Sequence, residues 1–78
     1  IVNDNAKVLA RGFVNGNRLA VVMTQSAEKT VSTRIRVPGY AFVESESVGE
    51  MKVSPATDGG QLIQAGRDGL AVLVYRKE

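Results

Sequence analysis

The chain has 78 residues, ten Lys plus Arg against eight Asp plus Glu, and a formal net charge of +2. It contains no His and no Cys, which excludes disulfides, thiolate nucleophiles, imidazole bases and the usual zinc and iron–sulfur ligand sets. A surplus of two charges is too small to neutralise a run of phosphates, so nucleic acid is not an expected partner. Nor is a membrane, since no apolar run approaches the length of a span and no signal-peptide pattern is present.

In chain order, Ile1-Val2 followed by the polar Asn3-Asp4-Asn5 reads as a linker, residues 1–5, from a preceding domain. Residues 6–78 then form one domain. Its periodicity is that of strands, with starts expected near Lys7, Arg18, Val31, Tyr40, Glu50, Gln61 and Leu70. Starts roughly ten residues apart are the rhythm of a sandwich or barrel. The expected fold is therefore all-β: a single antiparallel β-sandwich of about seven short strands. Asn15-Gly16-Asn17, Pro38-Gly39, Pro55, Asp58-Gly59-Gly60 and residues 66–69 supply the turns. Residues 25–30 read as a loop. The closing Tyr75-Arg76-Lys77-Glu78 passes from apolar to charged, which suits a C-terminal end.

The first hairpin permits a register. Asn15-Gly16 favours a type I′ turn. With those two residues as the loop, Val14 pairs with Asn17, Gly12 with Leu19, Ala10 with Val21 and Val8 with Met23. One face then carries Val8, Leu19, Val21 and Met23. The other mixes Leu9, Phe13, Ala20 and Val22 with Arg11 and Arg18. In the next strand Val31, Thr33, Ile35 and Val37 point one way, and Ser32, Arg34 and Arg36 the other. The last strand, Leu70-Ala71-Val72-Leu73-Val74-Tyr75, is apolar on both faces. A strand with one wet face should alternate, so something covers its second face. The expected core is Val8, Leu19, Val21, Met23, Ile35, Val37, Phe42, Val53, Leu62, Val72 and Val74.

Few residues invite chemistry. Glu44, Glu46 and Glu50 are the carboxylates closest in sequence, yet acid–base work needs burial or a like charge to shift a pKa, and they read as a solvated strand end that keeps an edge soluble. A serine nucleophile without His needs a lysine base, but Lys7, Lys29, Lys52 and Lys77 lie in polar or alternating contexts. Asp58 and Asp68 sit where turns prefer Asp and fall short of the six oxygens that calcium needs. The stripe Ser32, Arg34 and Arg36 lacks the interleaved aromatics of a base-stacking surface. Tyr40 and Phe42 share a strand face and are the nearest thing to a sugar-stacking platform, although a core Phe42 with Tyr40 packed at its edge explains them as well. No catalytic residue, metal ligand or cofactor is assigned, and no carbohydrate-binding residue is named.

The runs KVLARGFVNGNRLAVVMTQS, STRIRVPGYAFVES and GLAVLVYRKE together resemble the C-terminal β-sandwich accessory domain of bacterial glycoside hydrolases and related uncharacterised proteins. The shared pattern is a strand, a turn like Phe13-Val14-Asn15-Gly16-Asn17, a strand like Leu19-Ala20-Val21-Val22, a Val37-Pro38-Gly39-Tyr40 corner and a closing apolar strand. Where the family often carries Asn after the second strand, this chain has Thr24-Gln25-Ser26. The resemblance implies a non-catalytic domain that packs on a preceding catalytic domain of the same chain. It also implies possible contact with polysaccharide and a secreted or periplasmic location. Two alternatives stand beside it: an independent carbohydrate-binding module, and an immunoglobulin-like interaction or adhesion domain.

Overall fold

Alternation of apolar and polar side chains gives each strand one face to dry, and two such faces close on each other. The computed structural model describes residues 1–5, 7–25, 29–57 and 59–78. It has eight strands: β1 Val2–Asn3, β2 Val8–Asn15, β3 Arg18–Gln25, β4 Val31–Arg36, β5 Tyr40–Val48, β6 Met51–Pro55, β7 Gln61–Ala65 and β8 Leu70–Lys77. They form two four-stranded antiparallel sheets, β1-β4-β7-β6 and β2-β3-β8-β5. This is the expected all-β sandwich with one strand more than anticipated. The expected loop at 25–30 and the turn residue Asp58 lie partly or wholly outside the described residues.

The extra strand comes from the segment read as a linker. Val2 and Asn3 pair with Arg36 and Ile35 of β4, and the next residues are tied in by side chains. Asp4 Oδ1 accepts the Arg34 N–H (2.8 Å) and lies 2.9 Å from the Thr33 hydroxyl. Asn5 Nδ2 donates to the Ser32 carbonyl, and Asn3 Nδ2 to the Val8 carbonyl. Short polar side chains that hydrogen-bond nearby backbone look like linker composition; here the same property fastens residues 3–5 to the edge of β4. The hydrogen bond from the Arg34 backbone, seconded by Thr33, holds the Asp4 carboxyl below the usual carboxylate range.

The first hairpin turns one residue later than expected on each side. Asn15 pairs with Arg18, so Gly16 and Asn17 are the loop. Gly16 has φ +63°, and neither Asn15 nor Asn17 has a positive φ. Positive φ at the first central position alone is the pattern of a II′ turn rather than I′. Because the pairing shifts by two residues, every side chain keeps its face.

The core is Val8, Leu19, Val21, Met23, Ile35, Val37, Met51, Ile63, Ala65, Ala71, Leu73 and Tyr75. Six of the expected core residues are in it; the other five need correction. On β8 the inward residues are Ala71, Leu73 and Tyr75, opposite Met23, Val21 and Leu19, so Val72 and Val74 point outward and are half-buried. On β7 Ile63 faces in and Leu62 out. Both strands carry adjacent apolar residues, which leaves their phase open; partner strands decide it. Phe42 does lie on the inner face, opposite Tyr75 and edge-on to its ring at 5.6 Å. It stays 40% exposed because β5 ends the sheet. Val53 is half-buried against the core.

Polar groups inside are paired. The Tyr75 hydroxyl donates to Gln61 Oε1, and Gln25 Nε2 donates to the Ala65 carbonyl at 2.8 Å. Among the described residues no buried side-chain polar atom lacks a partner. Burial of the Tyr75 phenol pushes its pKa up to about 12. At the β7–β8 corner the approach is close: a Cβ on Gly66 would sit 2.8 Å from the Glu50 carbonyl, the group that accepts the Gly66 N–H.

Candidate interaction surface

The outward face of β2-β3-β8-β5 can be read row by row from its registers. One row runs Phe13, Ala20, Val74, Glu44; the next Arg11, Val22, Val72, Glu46; the third Leu9, Thr24, Leu70, Val48. An end row holds Asn15, Arg18, Arg76 and Ala41. The middle of the face is thus apolar. Leu9 (61%), Phe13 (58%) and Val48 (62%) are largely exposed, and Ala20, Val22, Val72 and Val74 are half-buried among their neighbours. Apolar side chains gathered over four strands make a patch of the kind that marks contact sites, unlike single exposed ones.

Charge is sorted around this patch. Arg11 lies on the β2 side, Arg18 and Arg76 at one end, and Glu44 and Glu46 on the β5 side. Two shallow depressions of about 390 and 320 Å³ run along β5 and β8; Glu46 and Val72 border both. The carboxylates singled out in the sequence therefore flank an apolar surface and face the side chains of Val74 and Val72. Glu50 lies apart, exposed at the β5–β6 turn. Tight β turns, not clustered ligands, explain Asp68, which has φ +60° and an exposed side chain. Among the described residues no three potential metal ligands come together.

The expected aromatic pair occupies a different place. Tyr40 and Phe42, with Arg36, Gln61, Tyr75 and Glu78, line a cleft of about 240 Å³ at one end of the sandwich. A smaller hollow of about 150 Å³ continues between β5 and β6 and shares Phe42 and Gln61 with it. Gln61 was missed by sequence reasoning. Its only signal was a polar residue opening an apolar strand, and the Tyr75 hydroxyl that holds it is fourteen residues away in the chain. Lys7, Lys29, Lys52 and Lys77 are all exposed, far apart along the chain.

The stripe Ser32, Arg34 and Arg36 lies exposed on the outer face of the other sheet. Gln64 and Lys52 extend it in the row of Ser32, and Leu62 and Ser54 in that of Arg34. No family model matches the chain, and neither curated proteins nor solved structures give a match.

Proposed function

We propose that the chain is a non-catalytic accessory β-sandwich that docks on a neighbouring domain through the outer face of β2-β3-β8-β5. The observation that carries this is the four-strand apolar patch around Val22, Val72 and Val74, bordered by Arg11 on the β2 side, Arg18 and Arg76 at one end and Glu44 and Glu46 on the β5 side. Burying such a face removes apolar area from water at roughly 25 cal/mol per Å², and the flanking charges set orientation. Glycosidase chemistry in the neighbour, its place in the same chain and a secreted or periplasmic setting rest on the resemblance of the three quoted runs.

The test is the longer protein expressed with and without Val72→Lys. Docking by this face predicts that the substitution lowers the melting temperature of the neighbouring domain, while the isolated sandwich stays folded and loses no more than about 1–2 kcal/mol. An unchanged neighbour would reject the reading, as would hydrolysis of a glycoside by the purified 78-residue chain.

A second reading, an independent carbohydrate-binding module, is favoured by the end cleft. There Tyr40 and the exposed edge of Phe42 stand beside the Gln61 amide. It requires saturable binding of a soluble polysaccharide that is lost in Tyr40→Ala.

A further inference from the structure

We propose that β2 is an open strand-addition edge at which a second copy of this chain pairs, β2 to β2, antiparallel about a two-fold axis at Gly12. The proposal goes beyond the docking face: it rests on the backbone of the edge strand β2, whose outward side chains Leu9, Arg11 and Phe13 also border that face.

The sheet edges are unequally protected. β1 is two residues long, and the side chains of Asp4 and Asn5 occupy backbone groups of Arg34 and Ser32 beside it. β6 carries Lys52 and ends in Pro55. β5 is broken by a bulge between Phe42 and Glu44 and carries Glu44 and Glu46. Lysine, proline, bulges and inserted charge are the usual devices against edge pairing. β2 has none but Arg11. It runs eight residues in unbroken register, with Leu9, Phe13 and Val14 exposed.

The backbone of β2 is also available. The Asn17 carbonyl accepts the Lys77 N–H, so the odd residues of β3 bond towards β8 and its even residues towards β2. Their β2 partners are Asn15, Phe13, Arg11 and Leu9. In an antiparallel ladder the intervening residues then point their N–H and C=O away from the sheet. Of these, Val8 is used: its N–H donates to the Asn5 carbonyl and its C=O accepts Asn3 Nδ2. Ala10, Gly12 and Val14 remain, with outward groups that meet no partner among the described residues.

Self-pairing has few registers, because residues opposite each other must share a face. An axis at Arg11 sets two arginines against each other, which is destabilising. An axis at Phe13 pushes Ala10 beyond the strand, onto the turn. An axis at Gly12 pairs Ala10 with Val14 of the second copy and uses all three open residues. It also sets Arg11 opposite Phe13 of that copy, a cation against an aromatic face. The pairing is isologous and closes on itself.

Sedimentation of the 78-residue chain over a range of concentrations tests this, together with amide exchange by NMR. The expected result is a monomer–dimer equilibrium in which the Ala10, Gly12 and Val14 amides gain protection as concentration rises. Val14→Pro removes one outward N–H at a position where an edge strand tolerates proline, and it should weaken association at least about tenfold in a folded chain. A monomer at every concentration overturns the proposal, as does a dimer that leaves these amides unprotected or survives in folded Val14→Pro. If Val14→Pro does not fold, the exchange pattern of the unaltered chain decides.

Discussion

The two outer faces of the sandwich are built alike and finished differently. Outside β1-β4-β7-β6 the rows read Arg34, Leu62, Ser54 and Ser32, Gln64, Lys52, with Val2 beside Arg36 at the β1 edge: mostly polar or basic, with half-buried Leu62 and exposed Val2 as the apolar exceptions. Outside β2-β3-β8-β5 the corresponding rows place Val22, Val72, Ala20 and Val74 at the centre and move charge to the border. Both sheets contribute fully buried side chains to one core, Ile35 and Ile63 from one and Val21 and Leu73 from the other, so the core itself does not call for the second pattern. A strand needs one apolar face to fold; β8 has two, with Val72 and Val74 half-buried on the outer one, and the docking proposed above rests on that second face.

That comparison fails at once if β8 faces the other way, so the largest expected effects concern the inner faces. Ile35 and Leu73 are fully buried, one on each sheet. Ile35→Ala and Leu73→Ala should each destabilise the chain by roughly 2–5 kcal/mol in urea unfolding. A loss below about 1 kcal/mol at Leu73 would mean that Val72 and Val74, not Leu73, fill the core, and the apolar outer face would vanish.

A smaller effect tests the same facing through Tyr75. Its phenol titrates at about 12 when folded, against about 10 in an unfolded chain. The folded state holds the proton more tightly, so this contribution is fully present below pH 10 and is lost as pH rises through 10 to 12. The loss amounts to roughly 2–3 kcal/mol. Unfolding titrations should show this alkaline slope, and Tyr75→Phe should flatten it. An unaltered slope in Tyr75→Phe would place Tyr75 outside the core.

The smallest effect on stability separates the two outer faces directly. Leu62→Lys and Val72→Lys each replace a half-buried outward side chain and should cost the isolated chain no more than about 1–2 kcal/mol. Only Val72→Lys should reduce binding of a hydrophobic fluorescent dye. Equal reductions would show that the faces do not differ in kind.

Much of this was legible in the chain. Strand starts at Arg18, Val31, Tyr40, Gln61 and Leu70 followed from periodicity and turn residues, because alternation and punctuation are local properties. The facing of β3 and β4 followed too: Arg11 and Arg18 mark the outer face of the first hairpin, and Ser32, Arg34 and Arg36 alternate with Val31, Thr33 and Ile35. The site was legible only in fragments. A mixed outer face on the first hairpin and a doubly apolar last strand were visible, whereas their adjacency, β3 beside β8, was not.

The amino-acid sequence by itself determined the class of fold, the rhythm of its strands and the side chains that could never be buried alone. Tertiary structure decided the phase of β7 and β8, where two neighbouring apolar residues satisfy either face equally and only the partner strand breaks the tie. It also decided that residues 2–5 belong to the sandwich. Asp4 and Asn5 find hydrogen-bond partners some thirty residues away, at Ser32, Thr33 and Arg34, and no local pattern announces a bond that far along the chain.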